Sequence, residues 1–153
     1  LTMDRLKRTV KGTNCLILGY GRIGKFLARL LLNLHASVTV AARKGKDLVQ
    51  AELDGCIPCP LRDLAGCLPR CDVLYNTIPH LILDQTLLPL VPKSCLCIDL
   101  ASKPGGIDLR AAEQLELETI WALGLPGKVA PGSAGQAIVD TVLQILTEQE
   151  VSL

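Results

Sequence analysis

Aromatic side chains are scarce: one Phe, one Trp and two Tyr, 3% of the 153 residues. A chain so poor in rings has little with which to build the stacking platforms that hold single-stranded nucleic acid, and its core must be aliphatic. Neither sign of charge is in excess. The formal net charge of +1 leaves no electrostatic footprint for nucleic acid or an anionic membrane. No apolar run is long enough to span a bilayer. A signal peptide is lacking as well, because residues 1–11 carry Asp4, Arg5, Lys7, Arg8 and Lys11 and no apolar central segment. A cytoplasmic location is expected. What is present, 49% hydrophobic and 20% charged residues, suits one globular domain with a substantial core and excludes a disordered chain. The chain starts at Leu1, so a piece of a longer polypeptide is expected.

Cysteine is plentiful, with seven residues at positions 15, 56, 59, 67, 71, 95 and 97. Cys95 and Cys97 flank Leu96 in an apolar run and should share one face of a strand. The spacing of Cys56, Cys59, Cys67 and Cys71 loosely resembles a zinc site. Pro58 and Pro60 bracket Cys59, however, and the segment falls where a strand is needed. The cysteines are therefore read as small buried hydrophobes in a reducing compartment, with no metal.

The chain is organised around Gly19-Tyr20-Gly21-Arg22-Ile23-Gly24. An apolar run precedes it, and a stretch with helical spacing follows from about residue 23 to 33. Its expected buried stripe is Ile23, Leu27, Leu30, Leu31 and Leu34. Strand, glycine turn and helix form the context in which G-x-G-x-x-G signals a dinucleotide site. The first Gly permits a tight turn, the second lets backbone approach a pyrophosphate, and the third lets helix pack on strand. The helix N-terminus offers free N–H groups and a partial positive charge to the phosphates. Without a ligand, the same residues make a packed glycine turn.

Around this unit, residues 2–11 read as a short amphipathic helix. Strands are expected at 14–18, 37–42, 56–60, 71–76, 95–100 and 118–121, the third near an edge because of its prolines. Helices are expected at 47–53, 61–68, 84–90 and 109–115. A last helix begins at Ser133, with Gln136 completing a capping box. His35, near the end of the first long helix, is assigned a structural role. The alternation implies an α/β, Rossmann-type doubly wound parallel sheet of about six strands, order 3-2-1-4-5-6.

The end of the second strand selects the nucleotide. An NAD site usually places an acid there to accept from the ribose 2′-OH. This chain has Ala42-Arg43-Lys44. A cationic pair holds a 2′-phosphate through charge-assisted bonds, so NADP is expected over NAD. Alternatively, both are solvated loop charges. Other rim loops follow strands four, five and six. Thr77, Ile78 and Pro79, with Ala101, Ser102 and Pro131, are placed to meet the cofactor. Ser102, Lys103 and Lys128 are candidates to meet a small anionic substrate. His80 is the one rim histidine, the residue type suited to moving a proton, and is a catalytic candidate beside a plain role as a surface residue. Asp99 ends a strand and is either functional or bonded to nearby backbone N–H groups.

These loops carry a resemblance. Leu18-Gly19-Tyr20-Gly21-Arg22-Ile23-Gly24, Ala42-Arg43, Asn76-Thr77-Ile78-Pro79, the run from Asp99 to Gly106 (DLASKPGG), and GLPGKVAP from Gly124 to Pro131 running into Ala134-Gly135-Gln136 resemble the C-terminal NADP-binding domain of the dipicolinate synthase family, in its A-type subunits. The glycine fingerprint is generic, and the last two stretches are the specific ones. The resemblance implies a two-domain oxidoreductase of spore-forming bacteria, similar in architecture to 2-hydroxyacid dehydrogenases. It would oxidise a dihydrodipicolinate-type ring to the aromatic dicarboxylate, with hydride passing to NADP. It implies a flavoprotein-like partner as the second subunit; homo-oligomerisation stays open. Residues 1–11 would then be a connecting helix from an absent N-terminal domain, and residues 12–153 the NADP-binding Rossmann domain. These residues alone are expected to turn over little substrate. Rival readings are a 2-hydroxyacid or shikimate-type dehydrogenase, a nucleotide-sensing domain without chemistry, and a methyltransferase. The last two would normally keep the acid after strand two.

Overall fold

The computed structural model describes residues 10–122. Within them lie six strands: β1 (Asn14–Leu18), β2 (Ser37–Ala42), β3 (Ile57–Pro60), β4 (Val73–Asn76), β5 (Leu96–Asp99) and β6 (Glu118–Trp121). Every pairing is parallel, and the order is β3-β2-β1-β4-β5-β6, as expected. The strands are short and nearly all buried, because helices must cover both faces of a parallel sheet. β1 lies between β2 and β4, so the chain reverses direction across the sheet beside β1. That reversal opens a crevice at the carboxyl ends of the strands.

Side-chain alternation sends residues to two cores. On one face Ile17, Val40 and Ile98 pack under Leu27 and Leu31 of α1 (Arg22–Asn33) and Ala51 of α2 (Gly45–Leu53). On the other Leu16, Leu18 and Leu74 meet Leu64 of α3 (Leu64–Cys67) and Ala111 and Ala112 of α4 (Leu109–Gln114). Cys95 and Cys97 share this second core. β3 is an edge strand, where Pro58 and Pro60 are tolerated.

Several elements depart from expectation. The buried face of α1 is Gly24, Leu27, Ala28 and Leu31, while Ile23, Leu30 and Leu34 are only half-buried. Gly24 and Ala28, one turn apart and small, let the helix backbone approach the sheet and turn that stripe inward. No α-helix forms at 84–90. Asp84 Oδ1 instead accepts bonds from Thr86 N, Thr86 Oγ1 and Leu87 N at 2.9, 2.6 and 3.1 Å, and one 3-10 turn, Leu88–Leu90, follows. The Asp side chain competes with the helix for backbone donors, and Pro89 removes one. Residues 61–68 form a single α-helical turn between two 3-10 turns, Leu61–Asp63 and Leu68–Arg70, because Gly66 and Pro69 interrupt it. His35 has φ 62° and donates its N–H to Leu32 O at 2.9 Å, closing α1 in the left-handed conformation. The expected helix after Ser133, with Lys128 and Pro131, lies outside the described residues, as does the expected helix at 2–11 except for Val10 and Lys11, which are not helical.

Candidate nucleotide site

The glycine turn occupies the crevice beside β1. Gly19 leaves the strand at φ +94°, with its N–H on Ala41 O at 2.9 Å. A Cβ on Gly19 would fall 2.5 Å from Thr77 Oγ1 and 2.9 Å from Ile78 Cγ1. A Cβ on Gly24 would fall 2.3 Å from Gly19 O. Those two glycines are therefore required by close packing within the protein. Gly21 is different. It has extended backbone (φ −79°, ψ −161°) that any residue adopts, and a Cβ there would meet nothing within 4 Å. Neither conformation nor crowding among the described residues explains a glycine at this position.

Gly21 is also the N-cap of α1. No side chain caps the helix and no acid lies in its first turn. The amides of Arg22, Ile23 and Gly24 have no acceptor among the described residues. Unused N–H groups at a helix start suit an anion. The open position at Gly21 is a cradle that a Cβ would fill, and a pyrophosphate fits it.

The loop is held from below by its one aromatic residue. Tyr20 is 3% exposed. Its hydroxyl donates to Asp54 Oδ2 at 2.6 Å. Gln50 Nε2 donates to the other carboxylate oxygen at 3.1 Å, and Arg29 Nη2 stands 3.8 Å from it. The Tyr20 hydroxyl, aided by Gln50 and Arg29, holds Asp54 below the usual carboxylate range. Burial, reinforced by Asp54, pushes the Tyr20 phenol up. Lys25 Nζ lies 5.6 Å from the Tyr20 ring centroid, within cation–π reach. Asp54 caps the C-terminus of α2, whose N-cap is Lys44. One helix thus joins the glycine loop to the cationic end of β2. No periodicity or motif links residue 20 to residue 54, so the sequence does not announce this strut; a Tyr inside an apolar core, needing a hydroxyl partner, is the one available signal.

The other sequence-selected residues fall around the same rim. Ala42 is buried at the end of β2, and Arg43 and Lys44 after it are exposed. Neither cationic side chain has a hydrogen-bond or ion-pair partner among the described residues. Thr77 Oγ1 donates to Leu18 O at 2.7 Å, which stitches the β4 loop to β1. Ile78 is half-buried beside Gly19, while Pro79 and His80 are exposed. Ala101 is buried, and Ser102 and Lys103 stand exposed at the end of β5.

Asp99 organises that last loop. It is 1% exposed. Oδ1 accepts from Asn76 Nδ2 at 2.8 Å and Ala101 N at 3.0 Å; Oδ2 accepts from Gly106 N at 2.8 Å and Ile107 N at 3.2 Å. With these four donors it serves the neighbouring backbone, the structural alternative raised from the sequence. Asn76, its register partner in β4, also donates to Ile78 O at 2.9 Å and accepts from Ile78 N at 3.1 Å. The two loops flanking the crevice are therefore one hydrogen-bonded unit. Trp121 Nε1 braces it by donating to Ala101 O at 3.2 Å.

A six-stranded parallel sheet of this order, with an open glycine turn at the crevice, defines a Rossmann-like nucleotide-binding domain. Residues 2–101 match the family model described as D-isomer specific 2-hydroxyacid dehydrogenase, NAD binding domain, and the chain belongs to that family. Within it the chain is like the A-type subunits of dipicolinate synthase. It is 36% identical over 148 residues to the one from Bacillus subtilis (strain 168), covering 97% of this chain and 50% of that one. The crystal structure of the corresponding dipicolinate synthase polypeptide from Bacillus halodurans superposes with a TM-score of 0.77 at 38% identity, over 92% of this chain and 48% of that one. A D-lactate dehydrogenase from Sporolactobacillus sp., at 22% identity, shares the fold (TM-score 0.61, 86% of this chain, 44% of that one). The chain spans about half the length of the relatives it matches.

Proposed function

We propose that this chain forms the NADP-binding half of an oxidoreductase that, like the dipicolinate synthases it resembles, oxidises a small anionic ring of the dihydrodipicolinate type. The observation that carries the reading is Gly21, a glycine at an uncapped helix start that neither its backbone angles nor the described residues around it require. The pyrophosphate lies over that turn, and Arg43 and Lys44 hold the 2′-phosphate. Thr77, Ile78 and Pro79, with Ala101 and Ser102, border the nicotinamide end. Ser102 and Lys103 face the anionic substrate; Lys128 and Pro131, outside the described residues, stay candidates from the sequence. When bound, NADP supplies the hydride acceptor. The residues of this chain bind and orient it. His80, exposed beside the crevice, is the candidate for moving a proton. A cytoplasmic setting in a sporulating cell belongs to the same proposal, as does a flavoprotein-like second subunit.

Calorimetric titration with NADPH and NADH tests it. Loss of a charge-assisted bond is worth about 1.5–3 kcal/mol, so NADPH should bind at least about tenfold tighter than NADH. Arg43→Ala should shrink that difference several-fold, leaving only what Lys44 supplies, while NADH affinity stays in place. Equal or tighter NADH binding, or an Arg43→Ala protein with unchanged NADPH affinity, would remove the NADP assignment. The family match favours one second reading, an NAD-linked 2-hydroxyacid dehydrogenase domain, and that titration also separates the two.

A further inference from the structure

The cysteines take no part in the nucleotide rim. All seven are free, and among the described residues no group of three or more His, Cys, Asp or Glu side chains is arranged to hold a metal ion. Two pairs approach closely. Cys59 Sγ and Cys67 Sγ are 2.8 Å apart; Cys71 Sγ and Cys95 Sγ are 3.4 Å apart. The pairs differ in access. Cys71 and Cys95 are both buried, whereas Cys67 is the one cysteine of the seven that is not. Cys59 sits one residue before the end of the edge strand β3, and Cys67 closes α3. The eight-residue separation is one 3-10 turn, Leu61–Asp63, and one α-helical turn, Leu64–Cys67, which folds the chain back so that the two sulfurs meet. A disulfide needs the sulfurs at about 2.05 Å, about 0.75 Å closer than the 2.8 Å at which they stand.

We propose that Cys59 and Cys67 form a redox pair that closes to an intramolecular disulfide when hydrogen peroxide reaches Cys67. The Cys67 thiolate attacks one peroxide oxygen; the O–O bond breaks, Cys67 becomes a sulfenic acid, and hydroxide leaves and is protonated to water. The Cys59 sulfur then attacks the sulfenic sulfur. The S–O bond breaks as the S–S bond forms, and the departing hydroxide takes the Cys59 proton as a second water. Two thiols and one peroxide give one disulfide and two waters, with the peroxide reduced and the sulfurs oxidised by two electrons.

The order of events follows from the surroundings. The thiolate is the reacting form, and access selects which thiol meets the oxidant. Burial pushes the Cys59 thiol up to about 12, so Cys59 is protonated and shielded, the resolving partner and not the entry point. The bond ties the outermost strand to the helix beneath it. Pro60 pairs in register with Ala42, which places the cross-link next to the Arg43–Lys44 rim, although the proposal does not depend on what that rim binds.

The test treats the whole 153-residue chain with equimolar hydrogen peroxide, alkylates it under denaturing conditions and maps tryptic peptides without reduction. Trypsin cuts after Arg62, so the two cysteines fall on different peptides, and fragmentation distinguishes Cys59 from Cys56. Expected are a Cys59–Cys67 link, loss of two titratable thiols, alkylation of the other five, and full reversal by dithiothreitol. Cys59→Ser should halt at a Cys67 sulfenic acid trapped by dimedone. Cys67→Ser should keep all its thiols. Wild-type protein that shows a Cys71–Cys95 link, an intermolecular bond, Cys67 over-oxidised beside alkylated Cys59, or no thiol loss overturns the proposal.

Discussion

Gly21 and Gly24 stand three residues apart in one turn, and substitution should separate them. Gly24→Ala drives a Cβ to 2.3 Å from Gly19 O, and overpacking of that kind costs about 1–3 kcal/mol. Thermal unfolding should show the loss. Gly21→Ala places its methyl in open space on ordinary backbone. Its stability should stay within about 0.5 kcal/mol of the parent, as surface substitutions do, while NADPH affinity falls by about tenfold or more. If Gly21→Ala binds as well as the parent, the turn is only a packing device. Tyr20→Phe makes a different test. Asp54 is held below its ordinary value in the folded state, chiefly by the Tyr20 hydroxyl, so its contribution is present above the unfolded carboxylate value of about 3.9 and is lost as pH falls through the lower folded one. Tyr20 is raised by burial, so its contribution is complete below the unfolded value of about 10 and is lost as pH rises through the folded one. The stability difference between parent and Tyr20→Phe should therefore form a plateau at neutral pH and shrink at both extremes. A difference independent of pH would mean that the ring, and not the hydrogen bond, carries the effect.

At the scale of elements, the β4 and β5 loops depend on one carboxylate. Asp99→Asn keeps the shape but turns an NH₂ toward backbone donors that had an oxygen. An unsatisfied buried group of this kind costs roughly 3 kcal/mol. Hydrogen exchange should show amides 101, 106 and 107 losing protection before those of β1, and unchanged protection there would refute the anchoring role. The same elements show how far sequence reasoning reaches. β1, the glycine turn and α1 are legible because an apolar run, a fixed glycine spacing and a 3.6-residue period all point to one unit. The strand order follows because parallel strands need crossovers and right-handed connections leave few topologies. The segment at 84–90, expected to be helical, is not, because Asp84 captures the backbone donors and Pro89 withholds one. The Tyr20–Asp54 strut and the Asn76–Asp99 pair are invisible for another reason. Each joins residues more than 20 positions apart, and their meeting depends on helix placement or strand register, which no local pattern encodes. Residues at strand ends can be grouped into a rim before any coordinates exist, but their hydrogen-bond partners cannot.

For the whole molecule, a dinucleotide that spans the glycine turn and the end of β2 links two elements already joined through α2, so binding should stabilise the fold as a unit. At a nucleotide concentration of about 100 times Kd the gain is about 2.7 kcal/mol. For a domain of this size each kcal/mol raises the unfolding midpoint by about 2–4 °C. NADP should therefore raise Tm by roughly 5–10 °C, NAD at the same concentration should raise it less, and Gly21→Ala, binding about tenfold or more weakly, should cut the shift to about half or below. Turnover is a separate matter. Hydride transfer requires cofactor and substrate held in near-attack geometry with water excluded. Arg43, Lys44, Pro79, His80, Ser102 and Lys103 are all exposed, so on the proposed function the described rim would be one wall of such a site. These 153 residues are thus expected to show the full NADP-dependent thermal shift and little or no reduction of NADP with a dihydrodipicolinate-type substrate. Adding whatever surface closes the crevice should raise the rate without changing the affinity for NADP by more than a few fold. A full catalytic rate from these residues alone would show that the open rim already carries a complete active site, and no NADP-dependent shift at all would remove the nucleotide reading altogether.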